Sequence, residues 1–172
     1  MDVPVRLTDL PSMHPELLWE TMQAATVAIL GELEAPSSCA FRLTVDDVLG
    51  FGSEECCLLI EPGDVPAGHV SQVKRTYERP RLVELAAIAI AGLALHHAGG
   101  HEIIDVALRG SAADYLVDQA RHHLEIAGRS RRSDLETAWR QKWQRLAEHW
   151  ENGFYLCIAE FETYTGRLAF AP

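Results

Sequence analysis

Two carboxylates, Asp114 and Glu125, have a spacing suited to holding a divalent cation. They lie in segments 113–117 and 122–127, which both alternate apolar and polar residues as β-strands do. Carboxylates that face each other across a hairpin repel, and a cation that bridges them removes this repulsion. Carboxylate oxygens are also preferred ligands of Mg²⁺. The pattern therefore indicates either a magnesium site or a simply solvated hairpin face.

The register of this hairpin follows from its apolar residues. A turn centred on residues 119–120 places Tyr115 opposite Leu124 and Asp114 opposite Glu125. A slip by one residue would mix apolar and polar side chains on both faces, so this register is the favoured one. The polar face then contains Asp114, Asp118, Arg121, His123 and Glu125.

An apolar helix precedes the hairpin. Residues 80–98 are apolar on nearly all sides, which is typical of a buried helix. Glu84 is the only charged residue between Arg81 and His96. Its position near the helix N-terminus suits the helix dipole, so Glu84 either has this role at an exposed first turn or belongs to a site.

The remaining segments predict an α/β fold with a mixed sheet flanked by helices. A helix over residues 134–150 carries an apolar stripe formed by Leu135, Trp139, Trp143, Leu146 and Trp150. Segment 72–79 is interpreted as a polar connection. The other expected elements are a helix near 15–33 and strands near 40–46, 55–61, 102–109, 154–161 and 167–170.

The order helix, three strands, helix, strand over residues 80–161 resembles the core of the PD-(D/E)XK, or restriction-endonuclease-like, nuclease superfamily. The likeness includes an acid in the first helix, an Asp on the second strand and a Glu on the third. It implies an αβββαβ core within residues 71–172, with residues 1–70 forming an acidic α+β extension of the same domain. It also implies Mg²⁺-dependent hydrolysis of phosphodiesters, with Asp114 and Glu125 as metal ligands and Glu84 as a third.

The sequence departs from the family pattern at the motif lysine. That lysine corresponds to Ala127, which can neither stabilise an anion nor position a nucleophile. Arg129 lies two residues further on, where a strand would point it to the same face, and is the candidate replacement. Arginine binds phosphate well, but it is a poor substitute for a lysine that must activate water. The alternative is a catalytically inactive nuclease-like scaffold or an interaction subunit of a larger complex.

The acidic excess of the chain is confined to its first part. Residues 1–70 carry twelve acids against Arg6 and Arg42, whereas residues 71–172 carry thirteen residues of each sign. Residues 121–145 alone hold seven Lys or Arg and three acids. This basic stretch is either a nucleic-acid contact or an ordinary solvated helix face, and the acidic part would suit a basic protein partner.

Other site classes are weaker in this sequence. A zinc site formed by His96, His97 and His101, with His122 or His123, lacks the HExxH spacing. Neither a GxSxG elbow nor a P-loop is present, and the four cysteines include no CxxC pair. With no targeting segment and no apolar run long enough to cross a bilayer, we expect a cytoplasmic protein without membrane contact.

Overall fold

The computed structural model describes residues 1–31, 39–46, 53–119, 121–150 and 153–171, and within these residues eight strands form one mixed sheet. The strands are β1 Asp2–Arg6, β2 Cys39–Asp46, β3 Glu54–Glu61, β4 Ile103–Val106, β5 Tyr115–Val117, β6 His122–Arg129, β7 Phe154–Glu160 and β8 Thr165–Ala171. The helices are α1 Leu10–Met13, α2 Glu20–Leu30, α3 Ala67–Thr76, α4 Arg79–Gly99 and α5 Leu135–His149. One-turn 3-10 helices lie at Leu7–Asp9 and Arg132–Asp134.

The strands lie in the order β1-β3-β2-β8-β7-β6-β5-β4. The pairs β1/β3, β2/β8 and β6/β7 are parallel, and the other neighbours are antiparallel. The predicted α/β class with a mixed sheet is therefore confirmed. Because β8 pairs with β2, the sheet runs without interruption from the acidic first part of the chain into the second.

Helix α4 is the centre of the larger hydrophobic core. It packs against α2 and against β6 and β7, and its residues from Leu82 to Leu95 are buried except Glu84. Within the described residues α4 alone has the length and hydropathy of a membrane span, but 72% of its most apolar window is buried inside the protein. The apolar surface of α4 is thus used by the core, as its sequence pattern predicts.

A buried histidine ties the N-terminal segment to this core. The His14 ring is fully buried, with Nε2 3.0 Å from the Gly92 carbonyl oxygen and Nδ1 accepting the Ile103 N–H at 3.0 Å. These partners require a proton on Nε2 and none on Nδ1, so the ring is neutral. Burial is the main cause that lowers the pKa of His14 below its ordinary value.

The hairpin register predicted from the sequence is confirmed where the two strands pair. Tyr115 lies opposite Leu124, and Val117 lies opposite His122. The apolar side chains of this hairpin face α4, as the alternation requires. Of the predicted turn centre, Gln119 has a left-handed φ of 57°, and Ala120 lies outside the described residues.

Two predicted segments differ from the structure. The helix expected over 15–33 begins only at Glu20, because the helix α1 ends before His14 and a non-helical segment follows it. The Trp19 indole N–H donates to the His14 carbonyl oxygen across this segment at 2.9 Å. The helix α2 ends at Leu30, and residues 32–38 lie outside the described part. Segment 72–79 was expected to be a connection but lies largely in α3, which buries only Val73 fully and therefore has little apolar signal.

The second hydrophobic core lies between α5 and the opposite face of the sheet. Trp139 is 6% exposed and packs there with Leu146, Phe154 and Ile158. The guanidinium of Arg167 lies over the Trp139 ring at 4.2 Å. Trp143 is only partly buried, so the predicted burial of the tryptophan stripe holds fully for Trp139 alone.

We expect Trp139→Ala to lower the free energy of unfolding by about 3–5 kcal/mol, because it leaves a large cavity in this core. Trp143→Ala should cost clearly less, since part of that ring already contacts solvent. Urea unfolding of both variants beside the wild type measures the difference. Equal losses would show that α5 presents both rings to the sheet in the same way.

Candidate functional site

The sheet opens into a pocket where the pairing of β5 with β6 ends. The last paired residues are Tyr115 and Leu124, yet β6 continues to Arg129 beside β7 alone. The unpaired edge of β6 therefore forms the floor of a pocket of about 400 Å³. It is lined by Arg81, Glu84, Ile88, Val106, Asp114, Tyr115, Glu125, Ile126, Ala127, Gly128, Arg129 and Lys142.

Asp114 ends the pairing by replacing a backbone partner with its side chain. Its Oδ2 accepts the Ile126 N–H at 2.8 Å, and its own N–H donates to the Leu124 carbonyl oxygen at 2.9 Å. The expected direct pairing of Asp114 with Glu125 is therefore wrong, since the ladder stops one residue earlier. The two carboxylates nevertheless line the same pocket.

Gly128 lets the first turns of α4 approach the pocket. A Cβ added there would lie 2.5 Å from the carbonyl oxygen of Val83, so no larger residue fits unless α4 moves. Arg81 and Glu84, which lie on the same turn of α4 as Val83, line the pocket wall. A glycine in the middle of a strand is typical of such a close backbone approach.

Glu125 is a buried carboxylate compensated by two cations of α5. Its side chain is 5% exposed, and Oε1 accepts hydrogen bonds from Lys142 and, at 2.6 Å, from Arg145. Burial raises the pKa of Glu125 above its ordinary value, and the hydrogen bond from Lys142 opposes this rise. Of the polar hairpin face, Glu125 is thus covered by α5, whereas Asp114 and Arg121 are exposed.

Glu84 lines the same pocket as Asp114 and Glu125, but its carboxylate is paired within its own helix. Its side chain is 57% exposed and pairs with Arg81, three residues before it, at 2.8 Å. Among the residues that the structure describes, no three of the types His, Cys, Asp and Glu are grouped closely enough to hold a metal ion. Asp114 and Glu125 remain a two-carboxylate set, which suits Mg²⁺ because that ion commonly keeps several waters and takes substrate phosphate oxygens.

Arg129 and Ala127 follow Glu125 along β6. Arg129 lines the pocket, and its guanidinium donates to the Gly128 carbonyl oxygen at 2.8 Å, which leaves its other donors available to an anion. Ala127 is 6% exposed and packs against α5 together with Leu135 and Trp139. Ala127 also lines the pocket, and its methyl group supplies no charge there.

The ammonium group that the sequence interpretation missed comes from α5. Lys142 lies in the pocket against Glu125, although seventeen residues separate them in the chain. A sequence signal existed, because Lys142 is one of only two lysines and lies on the helix face of Trp139 and Leu146. A lone lysine on the inward face of a helix indicates a buried partner.

The histidines do not form the alternative zinc site within the described residues. His101 Nδ1 lies 2.5 Å from Asp118 Oδ2, whereas His96 and His97 contact each other edge to face. His123 stacks on Trp150 with ring centroids 3.7 Å apart. His101 and His123 thus have structural partners, whereas His96 Nδ1 is buried without a hydrogen-bond partner among the described residues.

Comparison of the chain with protein-family models, with curated proteins and with solved structures gives no match.

We expect Lys142→Met to lower the free energy of unfolding at neutral pH by about 1.5–3 kcal/mol, since a buried carboxylate loses one of its charged donors. Lys142 lowers the pKa of Glu125, so this pKa rises further in the variant. The deficit relative to the wild type should therefore shrink as the pH falls and Glu125 becomes protonated. Urea unfolding of both proteins over a range of pH measures this difference in the free energy of unfolding.

The matched control is Lys74→Met, which changes the other lysine of the chain at an exposed position of α3. This control should shift stability by less than about 0.5 kcal/mol at every pH. A Lys142→Met deficit that is constant with pH would contradict the ion pair with Glu125.

Proposed function

We propose that this pocket hydrolyses phosphodiester bonds of nucleic acid with the help of Mg²⁺ or Mn²⁺. The observation that carries the proposal is the position of Asp114, Glu125, Arg129 and Lys142 around one open strand edge. They come from the end of the loop before β5, from β6 and from α5. Carboxylates for a cation and cations for a phosphate are the two groups of side chains that this chemistry requires.

The topology around the pocket supports the likeness to the PD-(D/E)XK core. Helix α4 is followed by the antiparallel strands β4, β5 and β6, and after α5 strand β7 returns parallel to β6. This is the helix, three strands, helix, strand order that the sequence analysis assigned to that superfamily. The proposal extends it to a nuclease-like core with β1, β2, β3 and β8 added along the sheet.

The carboxylates have a distinct role in this proposal. Asp114 and Glu125 would hold the cation, whereas Glu84 is left out of this ligand pair because its carboxylate is paired with Arg81. A cation held by these two carboxylates would supply positive charge against the negative charge that develops on the phosphate. Asp114 is held in place for this role by the Ile126 N–H.

In this proposal Lys142 supplies the ammonium group that the motif lysine supplies in the family pattern. Its ammonium lies beside Glu125 and lines the pocket, so it can donate to a phosphate oxygen from the side of α5. Arg129 holds a second phosphate oxygen from β6. The basic residues of the stretch 121–145 then contribute charge near the pocket as well as on the outer face of α5.

A second candidate is an inactive scaffold that binds phosphate or a protein partner without chemistry. The observation in its favour is that Lys142 and Arg145 already neutralise Glu125 without a metal ion. The protein partner would contact exposed acids of the first part of the chain, such as Asp2, Glu54, Glu55 and Glu61. Its surface would be basic.

The two candidate functions differ in whether the protein cleaves nucleic acid. We expect wild-type protein to cleave labelled DNA or RNA only with Mg²⁺ or Mn²⁺ and to lose this activity in a chelator. Asp114→Asn should lower the rate at least about 100-fold, because it removes a charged metal ligand. Asparagine can still accept the Ile126 N–H, so the fold should be retained, as circular dichroism and urea unfolding would show.

The control for this change is Asp105→Asn, an exposed aspartate of β4 outside the pocket. Its rate should equal that of the wild type within about twofold. The hydrolase proposal would be overturned if the wild type failed to cleave single-stranded and duplex DNA and RNA in the presence of Mg²⁺ or Mn²⁺. Retained binding in that case would favour the scaffold.

A further inference from the structure

The buried ring of His14 holds the start of the edge strand β4. Strand β4 is the last strand in the order of the sheet, so within the described residues it pairs with β5 alone. Its first residue, Ile103, is fully buried, and the Ile103 N–H donates to Nδ1 of His14 at 3.0 Å. The imidazole of His14 thus serves this N–H in place of a strand partner.

Only the neutral ring can make this bond. Nδ1 accepts the Ile103 N–H, whereas Nε2 carries the proton because it lies 3.0 Å from the Gly92 carbonyl oxygen. A second proton would enter at Nδ1 and face the N–H of Ile103, and two donors cannot bond to each other. The bond from Nε2 to Gly92 remains possible in the charged ring. Protonation therefore breaks the contact of His14 with β4 and keeps its contact with α4.

We propose that His14 is a proton-operated switch: a proton taken up by its ring releases the start of β4, while the N-terminal segment stays docked on α4. Histidine is the side chain whose charge changes most readily near neutral pH. A buried N–H without an acceptor is costly, and edge strands are among the elements that can open without global unfolding. The release of β4 does not depend on whether the pocket cleaves nucleic acid.

The groups on the α4 side do not stabilise a charge on His14. His96 lies edge to face with the His14 ring, with centroids 6.1 Å apart, and a charge on His96 opposes one on His14. The next residue, His97, interacts with Asp9 of the N-terminal segment. Trp19, with its ring centroid 5.2 Å from that of His14, is uncharged. Both hydrogen-bond partners of the His14 ring among the described residues are backbone groups, so no carboxylate there is bonded to it.

The charged groups on the β4 side limit the release to a few residues. His101 Nδ1 lies 2.5 Å from Asp118 Oδ2, so a protonated His101 forms an ion pair and is not repelled. Asp118 also accepts the Glu102 N–H at 3.0 Å, and the Asp118 N–H donates to the Glu102 carbonyl oxygen at 3.0 Å. These bonds hold residue 102 when His14 is charged. The released part therefore begins at Ile103.

The release reaches the pocket through β4 itself. Val106, the last residue of β4, lines the pocket. We call residues 107–114 the β4–β5 loop, and its two ends are joined by a hydrogen bond from the Ala107 N–H to the Asp114 carbonyl oxygen at 2.9 Å. Release of β4 thus loosens the part of the pocket wall that carries Val106 and Asp114. We therefore expect this wall to be more rigid at neutral pH than in acid.

The direction of the pH response follows from the neutral native ring. Burial is the main cause that lowers the pKa of His14, the hydrogen bond to Gly92 opposes this effect, and the charge of His96 adds to it. A released ring returns toward its ordinary pKa of about 6.5 and binds the proton more readily than the native ring. The native contact is therefore complete above that value and is lost as the pH falls through the lowered pKa.

Hydrogen exchange of the whole protein, measured by mass spectrometry, tests the switch. The pH is lowered stepwise from about 7.5 to about 4.5, and the rates are corrected for the intrinsic effect of pH. In the wild type, peptides that cover residues 103–107 should exchange about 10- to 100-fold faster on the acid side, because a buried donor loses its acceptor. Peptides from α2 and β7 should keep their protection.

Two substitutions separate the acceptor of His14 from its donor. His14→Asn keeps an acceptor near the position of Nδ1 and cannot be charged, so β4 should stay protected at every pH. His14→Gln keeps a donor toward Gly92 but no acceptor for Ile103. In this variant β4 should exchange at neutral pH as fast as in the acidified wild type. His69→Asn, at an exposed position of α3, is the matched control and should respond as the wild type does.

An acid response of residues 103–107 that persists in His14→Asn would overturn the switch and assign the response to another group, such as Glu125. Equal loss of protection in β4, α2 and β7 would also overturn it, because that result is global unfolding. Full protection of residues 103–107 down to about pH 4.5 would do the same.

An NMR titration of the wild-type ring decides the question if neither His14 variant folds. The midpoint of His14 protonation must coincide with the midpoint of the β4 release, and two different midpoints contradict the switch. Failure of the wild type to cleave nucleic acid would change none of these outcomes.

Discussion

The burial of one carboxylate, Glu125, constrains the whole region around the pocket. An ionised carboxylate removed from water is stable only when charged or hydrogen-bonding partners replace its hydration. Lys142 and Arg145 provide these partners from α5, so the helix must dock with one definite rotation against β6. Arg145 extends the same connection to the β4–β5 loop through the Ala112 carbonyl oxygen.

A second consequence of this arrangement is the open edge of β6. Asp114 substitutes its carboxylate for the strand that would otherwise continue beside Ile126, and α4 is held close by Gly128. The pocket therefore lies where three elements meet and one strand stops. Sites of this kind have rigid walls, because each wall belongs to a packed element, whereas the floor presents backbone groups without a strand partner.

The ion pairs of Glu125 also bear on the choice between catalysis and scaffold. A metal ion that binds this carboxylate competes with Lys142 and Arg145 for the same oxygen atoms, so stability and metal affinity oppose each other here. Such opposition is common at functional sites, where stability is reduced in exchange for activity. The ion pair faces the open pocket that Arg129 and Asp114 also line.

The sequence predicted the parts of this structure that depend on local periodicity. The strands of the 113–127 hairpin and their register follow from strict alternation, and the buried α4 follows from its continuous apolar composition. The helix α3 was missed because one buried residue, Val73, gives too little periodic signal.

The carboxylates Asp114 and Glu125 were identified because acids at these positions of a hairpin are conspicuous. The arrangement of the two carboxylates was not predicted, because regular strand pairing is the default expectation for a hairpin. The Asp114 side chain ends this pairing by accepting the Ile126 N–H. The role of Lys142 depends on how α5 is rotated against β6, which is a tertiary property that no local pattern specifies.

The most direct test of the central claim is a crystal structure of the protein soaked with Mn²⁺, in which anomalous scattering locates the ion. The account predicts an anomalous peak in the pocket, with oxygens of Asp114 and Glu125 as ligands and Lys142 no longer bound to the coordinating oxygen. Coordination distances near about 2.0–2.2 Å would identify a true site. The contradicting result is an empty pocket in which Glu125 is still bound to Lys142 and Arg145. It counts when the Mn²⁺ concentration is well above the usual dissociation constant of such sites.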